Sequence, residues 1–586
     1  MMHYNFIDPL PNLPPGGKAC HLFPLWGNKK VGKKHTMTLT FLFYLLTMIF
    51  PCISSAQKKV IFTDITKKAG IHFNLNFGDK SYKNIMESSG SGITIFDYNN
   101  DGLMDLYLMN GTYLEGISDP EGKIYKNSHN ELYKNNGDGT FTEVSKIAGV
   151  GGHQWSMAAG AIDLDNDGYK DLYVLNYGPN VFYHNNGNGT FKDITSSLGL
   201  AGPDTLNGFT KWSIGVSFWD YNHDGRIDAM VGNFMAFDPE YVSPSTPNMM
   251  PSPAEYKGQA SMLYEQQPDG KFIDVTRKNN LYYPNSKCMG LTVFDYDDDG
   301  KIDIFQANDH QLNFLFRNEN GTYKEVGVKS GVAANSHGVG TGSMHASIGD
   351  IDGDGLIDIL VSDLDYGALY HNEGNGIFVD ITEESGVAAA MEGKGSWGAQ
   401  LFDYDNDGDL DIVVANGTAE ELIPQYPLLL ENDGKGHFKN VGMEHGSYFK
   451  TKRSGRSLAV WDFDNDGNMD IIISHLDKNG TPVLLRNNGG NGNHWLGLTL
   501  AGKGGSEISA KVTVTAGAKK QVLVNQFATS YLANNDPRLH FGLGQTKEIN
   551  LLEISWSDGK KEVYKNIDSD RYITIKEGQG IIKNKN

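Results

Sequence analysis

Asp163–Asp171 reads DLDNDGYKD, and this nine-residue pattern, Asp-x-Asp/Asn-x-Asp-Gly-x-x-Asp, decides the fold because it recurs. It returns at Asp97–Asp105 (DYNNDGLMD), Asp220–Asp228 (DYNHDGRID), Asp295–Asp303 (DYDDDGKID), Asp350–Asp358 (DIDGDGLID), Asp403–Asp411 (DYDNDGDLD) and Asp462–Asp470 (DFDNDGNMD). Seven copies, numbered here loop 1 to loop 7 in chain order, exclude chance and announce a repeat architecture. Positions 1, 3, 5 and 9 carry side-chain oxygen, position 7 offers a carbonyl, and Gly at position 6 allows the sharp turn. That is the donor set a hard cation such as Ca²⁺ takes. The candidate ligands are Asp97, Asn99, Asp101 and Asp105; Asp163, Asp165, Asp167 and Asp171; Asp220, Asn222, Asp224 and Asp228; Asp295, Asp297, Asp299 and Asp303; Asp350, Asp352, Asp354 and Asp358; Asp403, Asp405, Asp407 and Asp411; and Asp462, Asp464, Asp466 and Asp470. About seven structural Ca²⁺ ions are expected, with loops 1 and 3 the weakest because Asn99 and Asn222 replace a third-position Asp.

An EF-hand would place Glu at position 12 and helices on both sides. Position 12 is Leu108, Val174 and Val414 in loops 1, 2 and 6, and the following runs (Asp171-Leu-Tyr-Val-Leu, Asp411-Ile-Val-Val, Asp470-Ile-Ile-Ile) read as strands. The Gly-Gly-x-Gly register of RTX repeats is missing, and there are too few cysteines for cysteine-paired calcium repeats.

A second motif alternates with the first: an aromatic, any residue, an acid or amide, then an apolar residue. It starts at Phe62, Phe141, Phe191, Phe272, Tyr323, Phe378 and Phe438. Most copies follow a Leu-Tyr-x-Asn-type strand and a Gly/Asn turn, as in Leu132–Thr140, which is hairpin chemistry. Each unit is thus strand, loop, strand, strand, turn, strand. Seven units at a mean spacing of about 61 residues predict an all-β fold, a seven-bladed β-propeller followed by a small C-terminal β domain. The last loop is followed by Thr481–Arg486 but by no aromatic motif, whereas the chain begins with an orphan copy at Phe62. The N-terminal strand is therefore expected to complete the last blade and close the ring.

The 586 residues carry a formal charge of −21, which argues against nucleic acid or an anionic membrane as partner. The ligand positions of the loops hold 26 aspartates, so the acidity is almost wholly the ion sites. Like charges about 4 Å apart repel by roughly 4 kcal/mol at an effective dielectric of 20, so the loops need a cation to stay closed.

Met37–Phe50 is an apolar run behind Lys33 and Lys34, followed by Ser54-Ser55-Ala56: a signal peptide cleaved after Ala56, and too short to span a bilayer. Residues 1–36 lie upstream of an otherwise well-formed signal, which leaves Met1 and Met37 as alternative starts. Cys52 follows Ile49-Phe50-Pro51, without the small residues that lipidation prefers. Of Cys20, Cys52 and Cys288, only Cys288 survives cleavage, so the exported chain has no internal disulfide. The expected division is 1–56 leader, 57–490 propeller, 493–578 C-terminal β domain and 579–586 tail, with a secreted, periplasmic or cell-surface location.

The loops and the Phe-x-Asp-Ile-Thr strands resemble FG-GAP/VCBS repeats, the blades shared with integrin α-chain propellers. The tail resembles the ASPIC/UnbV domain of the secreted cartilage acidic protein 1-like family, on Asn493-His494-Trp495-Leu496, Ala510-Lys511-Val512-Thr513-Val514, Ser530-Tyr531-Leu532, Asp536–Gly544 and Leu552–Trp556. Ile508-Ser509-Ala510 departs from that family's usual Ile-Gly-Ala. The resemblance implies export and leaves the molecular function open.

Trp155, Trp212 and Lys287 each lie eight residues before their loop, so equivalent strands place them at equivalent points of successive blades. They form a candidate stacking platform for a sugar, with packing between blades as the alternative. The polar segments after each loop's second strand, above all the insertion Asp238–Tyr256 with its five prolines, gather on one face. There is no Gly-x-Ser-x-Gly elbow and no His-Glu-x-x-His helix; His153, His310, His345 and His475 are the scattered candidates for acid–base work. The expectation is a binding or adhesion module for a glycan or a surface protein, without catalytic residues. The alternative is a polysaccharide hydrolase or lyase working over the channel.

Overall fold

A computed structural model describes residues 59–582 except 77, 80, 365, 420–421, 477–479 and 527; the leader, its cleavage site, Cys20 and Cys52 lie outside the described residues. The architecture is all-β and propeller-like. Seven sheets follow one plan, with four antiparallel strands and the nine-residue loop joining the first to the second; the strands run in chain order except in sheet 7, whose fourth comes from the N-terminus. Sheet 2 is typical: Trp155–Ile162, Asp171–Tyr177, Val181–Asn185 and Phe191–Asp193. The first strands, from Ile93–Phe96 in sheet 1 to Gly455–Trp461 in sheet 7, are buried on both faces. Each lies beside the first strand of the next sheet, and that of sheet 7 returns to that of sheet 1. In sheets 2 to 7 the pairing of first and second strands slips near its start, as between Cys288 and Gly290, a repeated bulge that bends the strand where the walls converge. Gly290 shows how tight this is: a Cβ there would sit 2.4 Å from the His345 ring.

The N-terminal strand Phe62–Asp64 is the fourth strand of sheet 7, pairing Phe62 with Asn487, Thr63 with Arg486 and Asp64 with Leu485. This is the clasp expected from the orphan aromatic motif.

Residues 494–582 form two further four-stranded sheets. His494–Ala501 pairs with Leu539–Gly544 and, in parallel, with Arg571–Lys576; Lys511–Ala516 sits between Lys519–Val524 and Glu548–Ser555. Their facing sides share a core of Leu496, Leu498, Val512, Val514, Phe541, Ile554 and Trp556. From this sandwich a hairpin, Ala528–Ser530 and Ala533–Asn534, reaches in among the first strands of the sheets. Its outgoing strand lies against the first strands of sheets 3 to 7, and its return strand against those of sheets 7, 1 and 2. Ile93 and Thr94 pair in parallel with Ala533 and Asn534, so sheet 1 gains two strands from the far end of the chain. At the tip, Tyr531 is fully buried against Trp397, ring centroids 5.0 Å apart, and the Arg456 guanidinium lies 4.1 Å from the same indole. This hairpin has no counterpart among the sequence expectations.

Candidate metal centres and their surroundings

The seven loops share one hydrogen-bond scheme, dictated by the sequence. In loop 1 the position-1 carboxylate of Asp97 accepts from the amides of Asp101 at 3.2 Å and Gly102 at 2.8 Å, and Asp101 accepts from Leu103 N at 3.1 Å. The bonds from the position-6 Gly and the position-7 amide recur in every loop, as in Gly168 N to Asp163 at 3.0 Å and Gly467 N to Asp462 at 2.7 Å, and in loop 5 Gly353 N rather than Asp354 N gives the second bond to Asp350 at 2.8 Å. Position 4 is left-handed (Asn100 φ 58°, Asn465 φ 56°), which suits the Asn that often stands there, and Gly102 at position 6 has φ 83°. These turns point the odd-numbered side chains inward together.

Position 9 is different in kind. Asp105, Asp228, Asp303, Asp358 and Asp470 are completely buried as the first residues of the second strands. One oxygen accepts from the position-2 amide (Tyr98 N to Asp105, 3.0 Å) and the other from the third strand (Asn135 N to Asp105, 2.8 Å). Burial outweighs these bonds and pushes Asp105 and Asp228 up to about 8, with Asp303, Asp411 and Asp470 held well above the carboxylate range. In loop 6, burial and then the charges of Asp407 and Asp405 raise Asp403. Carboxylates held in this way are short of positive charge.

Ligand oxygens come within 4.8 Å of one another in Asp295/Asp297/Asp299, Asp350/Asp352/Asp358 and Asp403/Asp405/Asp411, which brings together predicted positions of loops 4, 5 and 6. Asp165 and Asp167 cluster likewise with His184, and Asp352 and Asp354 with His371. Buried Oδ1 atoms of Asp297 and Asp464, both position 3, have no hydrogen-bond partner. Orphaned oxygens beside crowded carboxylates fit a hard cation. Asn99, the weaker donor of loop 1, turns its amide onto Asp101 at 3.0 Å.

The residue before the third-strand Asn faces its loop, a position outside both repeated motifs. Lys134 meets Asp101 at 2.7 Å, His184 meets Asp171 at 3.0 Å, Arg317 meets Asp297 at 2.9 Å, His371 meets Asp352 at 3.0 Å and Arg486 meets Asp464 at 2.7 Å. Loops 3 and 6 have Glu265 and Glu431 there instead.

The Asn itself stitches neighbouring sheets. Its amide nitrogen donates to its own position-8 carbonyl and to the position-2 carbonyl of the preceding sheet's loop: Asn185 to Tyr98 at 2.8 Å, Asn432 to Ile351 at 2.8 Å, Asn487 to Tyr404 at 2.7 Å. Asn135 reaches Phe463 of sheet 7 at 2.7 Å, joining the two ends of the repeat. Sheet 3 has Gln266 in its place. The signal was present as the Asn of Leu-Tyr-x-Asn. Asn432→Ala removes the two bonds its amide gives to the Ile351 and Leu410 carbonyls and the two its Oδ1 accepts from Gly434 N and Gly436 N. It is expected to cost about 2–4 kcal/mol, read as a lower urea midpoint at unchanged slope, whereas Gln266→Ala costs less. Equal costs would refute the stitch.

The proposed stacking platform is corrected. Trp155 and Trp212 are buried, Trp212 among Tyr177, Phe234 and Phe237, and the Lys287 ammonium is buried on the Pro253 carbonyl at 2.6 Å. Strands that start at the converging inner walls turn these side chains into the packing between sheets, so none offers a face to a ligand. Cys288 is a buried free thiol pushed up to about 12 by burial.

The histidines have separate surroundings. His153 lies 3.2 Å from the Ser128 carbonyl, His310 3.7 Å from Asp309, and His475 2.8 Å from the Tyr448 hydroxyl. His345 is buried and lowered to about 4 by desolvation. Ser509, where the family usually has Gly, holds φ 59°, and its hydroxyl donates to the Val293 carbonyl of sheet 4 at 2.7 Å. The departure from the family pattern thus exchanges backbone freedom for a bond between the sandwich and sheet 4.

The model of the FG-GAP-like repeat matches residues 123–174, 163–231, 295–361 and 350–414, and the model named ASPIC and UnbV matches 502–582. Cartilage acidic protein 1 of Mus musculus is 24% identical over 496 residues, covering 61% of this chain and 72% of its own length. The Homo sapiens protein of that name is 22% identical over 534 residues, covering 89% and 67%. Among solved structures, PorZ, a bacterial surface component of the type-IX secretion system of Porphyromonas gingivalis, is 10% identical with a TM-score of 0.36, covering 82% of this chain and 59% of that one. No helix among the described residues is long and apolar enough to cross a membrane, which leaves β-barrel spanning unaddressed.

Proposed function

Because the chain belongs to the family that joins FG-GAP-like repeats to an ASPIC and UnbV domain, we propose that it is an exported, calcium-stabilised recognition protein. In this reading residues 57–490 are a closed seven-bladed propeller, 493–578 a β domain fixed to it, and each nine-residue loop holds one Ca²⁺ through positions 1, 3, 5 and 9. The observation that carries the functional part is the hairpin. It packs among the first strands of the sheets, and its sandwich sits over loops 3 to 7 while loops 1 and 2 stay exposed. The opposite face, built from the long connections after each second strand, makes no contact with the sandwich among the described residues.

That face, rather than the buried Trp155, Trp212 and Lys287, is the binding surface. Its insertion Asp238–Tyr256 is braced from within: Tyr241 and Tyr256 pack edge to face at 5.3 Å, and Ser252 caps a short 3-10 turn with Glu255. Braced in this way it presents exposed Val242 and Met249, with Leu312 and Val339 exposed on neighbouring connections. Rigid loops with apolar tips suit a glycan or a surface protein. The hairpin among the first strands also removes the place where a hydrolase or lyase would gather acids and histidines. Purified mature chain should bind on a glycan array or to a surface protein, and Val242→Asp with Met249→Asp should weaken binding at least tenfold at unchanged melting temperature. Retained binding in that variant, or release of products from a polysaccharide, would overturn the reading.

A further inference from the structure

The C-terminal sandwich is seated on two loops. At loop 6, Asn493 donates to the Asp405 carbonyl at 2.9 Å, His540 Nε2 lies 2.6 Å from Asn406 Oδ1, and Lys519 reaches the Asp409 carboxylate at 2.7 Å and the Asp407 carbonyl at 2.9 Å. At loop 7, Arg538 donates to the Asp462 carbonyl at 2.8 Å and to Asn465 at 2.6 Å, and the Tyr572 hydroxyl donates to the Asp462 carboxylate. The same segment runs on into the channel hairpin, with Val460 N donating to Asn535 Oδ1 at 2.9 Å. These contacts withdraw Asp403, Asn406 and Asp462 from water, at 4%, 2% and 0% exposure.

Loop 6 is the most acidic of the seven, with aspartates at 403, 405, 407, 409 and 411 and Glu431 on the third strand where five other loops have Lys, His or Arg. The side-chain cation brought to it is Lys519, from the sandwich itself. A second observation points the same way. A cavity of about 100 Å³ between ring and sandwich is lined by Asp403, Gln400, Thr529 and His540. Gln400 Oε1, the Thr529 hydroxyl and His540 Nδ1 are buried there without a partner, and Gln400 and Thr529 are more than nine-tenths buried. With His540 Nε2 on Asn406, its Nδ1 is an acceptor, as is Gln400 Oε1. Arg538 also lines this cavity but is paired with Asp536 at 2.6 Å, which leaves Lys519 against the acids of loop 6, so the seat holds more negative charge and acceptors than positive charge. Burying uncompensated ions costs several kcal/mol each, so the sandwich can close over loop 6 only when something positive is already there.

We propose that loop 6 is a divalent-cation site completed by the C-terminal sandwich, so that cation binding at loop 6 and seating of the 528–534 hairpin in the channel are one linked equilibrium. This rests on the calcium reading of the loops. Linkage makes it reciprocal: the cation holds the hairpin in, and the seated hairpin raises cation affinity at loop 6 by the same factor.

Hydrogen exchange on the mature full-length chain tests this, with bound metal measured in parallel. Chelation should speed exchange of the 528–534 amides at least tenfold. Asp405→Asn with Asp407→Asn should do the same in saturating calcium, whereas Asp165→Asn with Asp167→Asn in exposed loop 2 should lose one ion and leave the hairpin protected. Conversely, Tyr531→Ala should weaken the calcium affinity of one site at least tenfold while the other sites, still filled, report an intact ring. A chain that binds no calcium defeats the calcium reading, and this inference with it. Bound calcium whose removal leaves the hairpin protected, or equal exposure in the loop 2 and loop 6 variants, overturns this inference alone.

Discussion

Stripping calcium from the mature chain is expected to lower its melting temperature by on the order of 20 °C. A ligand present at a hundredfold its dissociation constant stabilises by about 2.7 kcal/mol per site, and about seven such sites outweigh the margin of most folded domains. The pH dependence of the two forms should have opposite sign. In the metal-free protein Asp105 and Asp228 are raised to about 8 and Asp358 and Asp462 to about 7, burial being the main cause. Unfolded aspartates titrate near 3.9. Between those values the folded state binds more protons than the unfolded, so the stability of stripped protein rises as pH falls from about 8 toward 5. In the loaded protein protons displace Ca²⁺ from the same carboxylates, so stability falls over that range. Melting curves at pH 5.5, 7.0 and 8.5, with and without chelator, read both slopes. Unchanged melting on chelation, or parallel slopes, defeats the assignment.

The loops were legible because a cation site needs fixed residue types at fixed spacing, and because seven copies of such a site align themselves. The hairpin turns and the orphan Phe62 were legible for the same reason: a repeat with one part missing at each end predicts where the parts meet, and Phe62 does pair with Asn487. Trp155 and Trp212 were not legible, since an indole at a strand start serves a sugar or a neighbouring sheet equally well. Only the convergence of the inner strands decides for the core. The 528–534 hairpin left no period to detect: Ala528-Thr529-Ser530-Tyr531-Leu532-Ala533-Asn534 occurs once, its small residues suit a narrow channel, and its partners lie up to 440 residues away, as in Asn534 with Thr94. Loop electrostatics were half legible. The acids stood in the motif, but the basic residues that answer them sit on the third strand, brought close by pairing rather than by sequence.

A mature chain beginning at residue 70 is expected to aggregate or to melt at least 10 °C early, because it lacks the strand that closes the ring. Residues 62–64 are short, but what they fasten is not. The Phe62 amide donates to the His445 carbonyl at 2.8 Å, Ile65 N to Leu484 at 2.9 Å, Asn488 N to Ile61 at 3.0 Å, and the Leu484 amide to the Thr66 hydroxyl at 2.8 Å. Without them the third strand of sheet 7, Val483–Asn487, becomes an open edge of apolar residues, a template for pairing with other chains. The side chain matters as much as the backbone. Phe62 is buried between Tyr404 of loop 6 and Phe449, at 6.3 and 6.0 Å, so it also ties sheet 7 to sheet 6. Phe62→Ala keeps every backbone bond and is expected to cost about 3–5 kcal/mol, the usual loss for a buried aromatic truncated to Ala. The two variants separate the contributions: the substitution lowers stability of a monomer, whereas the truncation adds concentration-dependent association through the bare edge. Light scattering and melting curves at two protein concentrations tell them apart, and a truncated chain that stays monomeric and melts within a few degrees of the intact one would show that the ring closes without its clasp.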